Sequence, residues 1–163
     1  MKAYDIRHYP DPILTKKAEK VEKFDDELRD IIDSMKLTMQ VSGGVGLAAP
    51  QIGISKRIAI IEREEQQYIL INPELIESSG DITSEEGCLS FPGIFAQVTR
   101  PNCIKIKTYD LDGEEKTLEA EGYIARAFLH EMDHLEGVLF IDHISPLKRG
   151  VIRKKMKKRA SEK

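Results

Sequence analysis

The sequence predicts an α+β fold in which antiparallel β-sheets pack around a central helix, with helices at both ends of the chain. Short segments rich in β-branched residues follow one another from residue 44 to residue 121. From residue 123 the apolar residues instead recur with helical spacing. Strands followed by a buried helix are typical of α+β proteins. With 163 residues, the chain is expected to form one domain over residues 1–163.

Two helices are predicted before the first strand. Asp11 followed by proline is a good helix start, which predicts a short helix through about Ala18. Asp25 or Asp26 begins a longer helix with one apolar face, and this helix ends at residues 42–44 (SGG).

The strands are predicted to be short. Residues 44–51 (GVGLAAPQ) begin the β part of the chain, and segment 104–107 (IKIK) alternates as a half-buried strand does. Residues 110–113 (DLDG) turn the chain back, so a β-hairpin is expected there. The strands are assigned to residues 57–62, 68–71, 80–84, 94–99, 104–107, 117–121 and 138–141.

The central helix is predicted over residues 123–136, with Gly137 in the C′ position. Ser145 followed by proline begins a last helix, over about residues 145–163, that is strongly basic. Of the 25 basic and 28 acidic residues, nine basic and one acidic lie from Lys148 onward. The tail therefore carries +8, and the rest of the chain, with sixteen basic and 27 acidic residues, carries −11.

Composition argues against membrane and disulfide-stabilised proteins. The longest apolar runs, such as residues 58–61 (IAII), are far too short to span a bilayer. The N-terminal residues lack the apolar segment of a signal peptide. Cys88 and Cys103 are too few for a disulfide framework. We therefore expect a protein of the reducing cytoplasm, with neither a membrane nor DNA among its partners.

The central helix carries an H-E-x-x-H pattern at residues 130–134 (HEMDH). Histidines four apart on a helix differ by about 40° around its axis. His130 and His134 can therefore reach one metal ion, with Glu131 placed to take a proton from water at that ion. The alternative is a chance match on a solvated helix face, because five-residue motifs are common.

A catalytic metal site of this kind needs a third protein ligand and one open position. Glu136 follows the motif too closely, and His143 lies in a predicted strand or loop. Cys88, within residues 86–90 (EGCLS), is the strongest candidate, since a thiolate is a good soft ligand. Taken alone, Cys88 is better explained as a small buried apolar residue than as a ligand. Together with the helix motif, the ligand interpretation is favoured.

Three segments together resemble the motifs of the peptide deformylase family: residues 44–51 (GVGLAAPQ), 86–90 (EGCLS) and 130–134 (HEMDH). They occur in the family's order, and residues 142–149 (DHISPLKR) resemble its ending. The resemblance covers nearly the whole chain. Leu129 departs from it, because many members have glutamine there. That position does not bind the metal, so the departure is expected to affect packing and not chemistry.

The resemblance implies a metal-dependent hydrolase. Cys88, His130 and His134 would bind one divalent ion. Family members typically use ferrous iron (Fe2+) in cells and often carry Zn2+ or Ni2+ after purification. Co2+ also suits these ligands, and ligand identity alone does not rank the four ions. Family members remove the formyl group from the N-terminal formylmethionine of new polypeptides and release formate.

The resemblance also implies roles for the other motif residues. Glu131 would be the general acid and base, and the Gln51 side chain and the Leu89 N–H would stabilise the oxyanion. The family's strand that binds the substrate main chain corresponds to Gly44, Val45 and Gly46.

Helix geometry suggests where a substrate side chain would bind. Tyr123, Arg126 and Ala127 project within about 60° of His130 around the helix axis. Ala127 is small and leaves room beside the ligands, so this face is predicted to line a methionine pocket. The alternative is that Tyr123 and Ala127 simply pack on the sheet.

Charged residues near the motifs are assigned supporting or surface roles. Family resemblance suggests that Glu86 and Arg100 pair behind Cys88 and hold it in place, although both are also compatible with separate surface charges. Asp133 either supports a histidine or faces water. His8 and His143 are expected at the surface.

The basic tail suggests a partner. Residues 153–159 (RKKMKKR) are basic on nearly all sides, and such runs bind nucleic acid through its phosphates. A deformylase must meet polypeptides as they leave the ribosome, so contact with ribosomal RNA is one prediction. A merely solvated helix end is the other.

Two other functions share part of this pattern. A zinc endopeptidase also uses H-E-x-x-H, but it leaves Cys88 and Gln51 without roles. A ribosome-associated binding module with a structural metal needs a closed four-ligand site, and the sequence offers three good ligands. Cleavage of formyl-methionyl peptides, compared with cleavage of internal peptide bonds, separates the first alternative from deformylation.

Overall fold

The computed structural model describes residues 2–162, in three helices and three antiparallel sheets. The helices are α1 (Asp26–Ser42), α2 (Tyr123–Leu135) and α3 (Pro146–Ser161). The strands are β1 (Gly46–Ala48), β2 (Ile58–Arg63), β3 (Gln66–Ile71), β4 (Glu74–Ser79), β5 (Ile82–Cys88), β6 (Phe91–Arg100), β7 (Cys103–Tyr109) and β8 (Glu115–Glu121). They form the sheets β1-β2-β3, β4-β7-β8 and β5-β6. The predicted α+β fold is confirmed.

The sheet β1-β2-β3 separates two apolar cores. Ala59 and Ile61 of β2 belong to the core that contains Phe128 and Leu135 of α2. Ile58 and Ile60 alternate with them and pack in the core that contains the buried face of α1. A strand that is buried on both faces is apolar at every position, which explains the run IAII. Helix α2 is thereby held against β1 and β2, beside the open edge of β1.

The ends of the helices follow their sequence signals. The Asp25 side chain accepts a hydrogen bond from the Leu28 N–H at 3.1 Å and caps α1. Gly43 ends that helix with a φ of 72°, a left-handed conformation that glycine adopts at little cost. The Ser145 hydroxyl caps α3 through the Lys148 N–H at 3.3 Å. These predicted ends are confirmed.

Two local predictions differ from the structure, and one strand was not predicted. The prediction of a strand at residues 138–141 is wrong, because Phe140–His143 forms a 3-10 helix. The Asp142 carboxylate accepts the Leu139 N–H at 2.9 Å and closes that turn. The helix after Asp11 is only one 3-10 turn, Pro12–Thr15. Strand β4 was not predicted, because all its residues are exposed and no apolar alternation marks it.

None of the helices within residues 2–162 combines the length and apolar character needed to cross a membrane.

Candidate metal centre

The three predicted ligands come together between β5 and α2. Cys88 is the last residue of β5, and its Sγ lies 3.3 Å from Nε2 of His134. The candidate ligand atoms of Cys88, His130 and His134 all lie within 4.8 Å of one another. One sulfur and two imidazole nitrogens suit divalent transition-metal ions such as iron, zinc, cobalt and nickel.

The histidine environments fit metal binding. Nδ1 of His130 lies 2.9 Å from the Glu86 carboxylate. Burial would raise the pKa of Glu86, but hydrogen bonds from His130 and Arg100 lower that pKa to about 2. An ionised carboxylate only accepts, so Nδ1 of His130 carries a proton and Nε2 is the nitrogen left for a metal ion. Burial lowers the pKa of His130, but hydrogen bonds to Cys88 and Glu86 outweigh it and raise that pKa well above its ordinary value, so a metal ion would take the place of the proton on Nε2. Burial holds the pKa of His134 well below its ordinary value, which keeps that ring neutral as a metal ligand requires.

Glu86 is the centre of a buried charge cluster behind the ligands. Its carboxylate accepts from Arg100 Nη2 at 3.0 Å and also from Arg126 Nη1 and His130. The pairing of Glu86 with Arg100 is thus present as expected. Arg100 extends the cluster, since its Nη1 donates to Asp133 at 2.8 Å. Such a cluster fixes the ring of His130 from behind.

Glu131 faces the ligand group from α2. Its Oε1 is buried and has no hydrogen-bond partner among the residues the structure describes. Burial raises the pKa of Glu131 to about 7. Room for the carboxylate comes from Gly46 of β1, where a Cβ atom would lie 2.5 Å from Oε2 of Glu131. The glycine therefore sets how closely the carboxylate can approach β1.

Gln51 is held in one orientation beside Cys88. It lies in the 3-10 helix Ala49–Ile52 and is buried. Its Oε1 accepts the Ala48 N–H at 2.9 Å, so the amide Nε2 must point the other way. Nε2 donates to the Ser90 hydroxyl at 3.2 Å and lies 3.5 Å from Cys88 Sγ. A rigid N–H donor therefore faces the ligand group.

A cavity of about 530 Å³ opens beside the ligands. Leu89, in the turn after β5, lies on its wall. All six residues predicted to bind substrate also line it: Gly44, Val45, Gly46, Tyr123, Arg126 and Ala127. The guanidinium of Arg126 is already engaged, because it donates to Glu86 and to the carbonyls of Val98 at 3.0 Å and Ile82 at 2.7 Å. Tyr123, in contrast, is half exposed at the cavity mouth.

Some residues of the site were not predicted from the sequence. Ser90 is fully buried and holds the Gln51 amide. The ring of Phe140 lies 6.0 Å from that of His130, centroid to centroid. His143 is at the surface, as expected, but it also bonds to Asp133 at 2.8 Å. Ser90 belongs to the motif EGCLS and could have been found there, whereas Phe140 and His143 meet α2 only in the folded chain.

Comparison with known families agrees with this geometry. The model of the polypeptide deformylase family matches residues 3–150. The chain belongs to the polypeptide deformylase family. The peptide deformylase of Thermodesulfovibrio yellowstonii is 47% identical over 162 residues, which cover 96% of this chain and 98% of that protein. That of Thermotoga maritima is 49% identical over 154 residues, which cover 94% of each chain.

Solved structures of deformylases share the whole fold. The crystal structure of the Ehrlichia chaffeensis peptide deformylase, in complex with actinonin, matches with a TM-score of 0.93 at 37% identity, over 98% of both chains. The Legionella pneumophila peptide deformylase gives 0.91 at 41% identity, over 98% of this chain and 96% of that one. The antiparallel sheets and the three helices are therefore family features.

Members of the polypeptide deformylase family are metal-dependent hydrolases that remove the N-formyl group from nascent peptides. The group formed by Cys88, His130 and His134 can hold the metal ion that such an enzyme needs. Family membership favours deformylation over the endopeptidase and binding-module alternatives.

Proposed function

We propose that this chain hydrolyses the formamide bond of N-terminal formylmethionine in newly made polypeptides and releases formate. Cys88, His130 and His134 hold one divalent ion. The observation that carries the proposal is that Cys88 and His130 line one cavity with Glu131 and Gln51, while His134 lies within ligand distance of Cys88 and His130. This arrangement combines a metal position, a proton acceptor and a rigid N–H donor, and hydrolysis of a small amide needs all three.

Glu131 is the proton carrier of the reaction. A divalent ion bound beside it supplies Lewis acidity, lowering the pKa of water and polarising the formyl carbonyl. Glu131 accepts a proton from the water whose oxygen adds to the formyl carbon. It returns that proton to the amine nitrogen as the carbon–nitrogen bond breaks. Its burial keeps the pKa near 7, so it can carry out both transfers near neutral pH.

Gln51 and Leu89 stabilise the negative charge that develops on the formyl oxygen. The Gln51 amide cannot rotate away, because Ala48 and Ser90 hold both of its ends. The Leu89 N–H lies in the turn that follows Cys88. A fixed donor at such a position contributes about 2.7–4 kcal/mol to transition-state stabilisation.

The substrate main chain binds along β1. This strand lies at the edge of the sheet β1-β2-β3, begins at Gly46 and is directly preceded by Gly44 and Val45, so an added strand can pair along this edge. The methionine side chain occupies the cavity beside Ala127 and Tyr123. Arg126 shapes that cavity while its guanidinium stays bound to Glu86.

We propose ferrous iron as the ion in the cell, with zinc, nickel and cobalt as ions that the same ligands accept. The test is anaerobic metal analysis, followed by reconstitution with each ion and measurement of kcat/KM. Iron should give activity at least as high as zinc under anaerobic conditions. Much higher activity with zinc would overturn the choice of iron and leave the reaction unchanged.

Glu131→Ala tests the reaction itself. The variant is expected to keep its metal and lose deformylation of a formyl-methionyl peptide, with formate measured as product. A matched peptide with a free N-terminus and the same internal bonds should stay intact with both proteins. Retained activity in the variant, or cleavage of the internal bonds, would contradict the proposal.

We also propose that α3 binds ribosomal RNA, which places the enzyme in the cytoplasm where its substrates emerge. Met156 is buried and anchors α3 on the body of the protein, whereas Lys154, Lys155, Lys157 and Lys158 are exposed. The buried methionine lies within residues 151–163, so deleting that segment would also remove the anchor. Replacing the exposed lysines with glutamine keeps the anchor and removes the charge.

Ribosome binding of the parent and of the four-lysine variant should be measured over a range of salt concentrations. Each lost phosphate contact reduces the slope of log K against log salt by about 0.7–0.9. With four lysines replaced, the magnitude of the slope should fall by about 3 while deformylation of a short peptide stays unchanged. An unchanged slope would show that α3 is only solvated.

A further inference from the structure

A hydrogen bond links His143, at the protein surface, to Asp133, which lies between the two candidate ligand histidines in α2. It ends the 3-10 helix Phe140–His143, and its side chain is 35% exposed. Nε2 of His143 lies 2.8 Å from Oδ2 of Asp133, which precedes His134 in α2. A carboxylate oxygen accepts, so Nε2 of His143 carries the proton of this hydrogen bond.

The hydrogen bonds continue inward without a break. The same oxygen of Asp133 accepts from Arg100 Nη1 at 2.8 Å. Arg100 Nη2 donates to Oε1 of Glu86 at 3.0 Å, and that oxygen also accepts from Nδ1 of His130 at 2.9 Å. The chain of contacts therefore runs from His143 to the back of His130.

A second contact from the same 3-10 helix reaches His130 directly. Phe140 is buried, and its ring lies 6.0 Å from that of His130 and 5.2 Å from that of Phe91, between centroids. The last residue of the 3-10 helix thus contacts Asp133 of α2, and its first residue contacts His130 of α2. Two contacts at different points of α2 resist both tilting and sliding of that helix.

We propose that His143 is a positioning residue of the metal centre. It holds the Asp133 carboxylate against Arg100, and the restrained Arg100 keeps Glu86 aligned behind His130. The inference rests on the proposed function, because it assumes a metal ion at Cys88, His130 and His134. His143 touches neither the ion nor the substrate and acts only through Asp133.

The expected effect is moderate. The Asp133 side chain is 25% exposed, so without His143 its carboxylate can turn toward water and release one side of Arg100. Arg100 still keeps Glu86 as a partner. Partners behind metal ligands typically change metal affinity or activity by 10–100-fold, and His143 acts on His130 through Asp133, Arg100 and Glu86. We therefore expect the lower end of that range, about 10-fold.

The test compares His143→Leu, which removes the donor, with His143→Gln, which keeps an N–H donor. Arg29→Ala is the control, since it breaks an exposed ion pair with Asp112, at 3.0 Å, without touching Asp133. Each protein is loaded with Co2+, and loss of the sulfur-to-cobalt absorption band is followed after addition of excess chelator. The same proteins are assayed for kcat and KM on a formyl-methionyl peptide.

His143→Leu should lose cobalt about 10-fold faster than the parent and show a lower kcat with KM within about 2-fold. His143→Gln should recover most of both quantities, and Arg29→Ala should match the parent. Equal cobalt loss from His143→Leu and the parent would overturn the inference, even if the unfolding midpoint falls. The cobalt measurement does not depend on activity, so failure of the proposed reaction would appear separately, as a metal-loaded parent without deformylation.

Discussion

Replacing Gly46 with alanine tests whether the position of the Glu131 carboxylate controls catalysis. The Cβ of the new residue would lie 2.5 Å from Oε2, 3.1 Å from Cδ and 3.2 Å from Cγ of Glu131. The φ of Gly46 is not in the left-handed region, so the backbone of β1 accepts alanine without strain. The substitution therefore acts on one neighbour, and that neighbour is the proposed proton carrier.

The size of the effect follows from these distances. Ordinary contact begins near 3.4 Å, so the carboxylate must retreat by roughly 0.9 Å. A misplacement of about 1 Å can cost on the order of 100-fold in rate, which corresponds to about 2.7 kcal/mol of activation free energy. Overpacking of a buried site costs typically about 1–3 kcal/mol of stability. We expect kcat to fall about 100-fold while the protein stays folded.

The assay measures kcat, KM, metal content and urea unfolding for Gly46→Ala and for Gly150→Ala. Gly150 lies in α3, and a Cβ there meets nothing within 4 Å, so this variant should keep full activity. KM of Gly46→Ala should change much less than kcat. A folded, metal-loaded Gly46→Ala enzyme with kcat within 3-fold of the parent would refute the reasoning.

Three further outcomes are expected. Glu86→Gln leaves the buried Arg126 guanidinium without its counter-charge and leaves Arg100 with Asp133 alone. The free energy of unfolding in urea should therefore fall by about 3–5 kcal/mol; a loss below about 1 kcal/mol would contradict this. Gly137→Ala should lower Tm by several degrees with kcat/KM unchanged. The φ of Gly137 is 73°, and the new Cβ would lie 2.6 Å from the backbone carbonyl oxygen of Thr15. An unchanged Tm would show that the backbone adjusts freely. A chelator should abolish deformylation reversibly, and Cys88→Ala should lose metal at a lower chelator concentration; full activity of metal-free protein would exclude the proposed chemistry.

Local signals in the chain were sufficient for the helices and most strands. Helix α1 begins at the side-chain cap of Asp25 and ends at Gly43, which has a left-handed conformation. Both signals depend only on neighbouring residues. The strand wrongly predicted at residues 138–141 is explained by a short apolar run. Its apolar residues Leu139, Phe140 and Ile141 are buried in one core, and a short apolar run does not distinguish a strand from a tight helical turn.

The sheet β4-β7-β8 contains the strand that the hydrophobic pattern did not predict. Strand β4 pairs with β7 along an exposed edge, with a bulge between Leu75 and Glu77. No face of β4 is buried, so its sequence shows no alternation. Its backbone hydrogen bonds to β7 place it in the sheet, and these depend on the tertiary structure.

By itself, the sequence determined the central helix and its candidate metal ligands. His130 and His134 share one face of α2 because a helix repeats every 3.6 residues, and Glu131 necessarily lies beside them. The motif around Cys88 and the motif ending in Gln51 identified the family and hence the other members of the site. These features depend on spacing along the chain, which the sequence states directly.

Only the tertiary structure decided how these residues are held. The Gln51 amide points at Cys88 because Ala48 and Ser90 occupy its two ends, and the Glu131 carboxylate fits because Gly46 lacks a side chain. His143 reaches Asp133 because a 3-10 helix folds back on α2. Each of these contacts joins groups on different elements, and their distances are set by packing, for which the sequence carries no local signal.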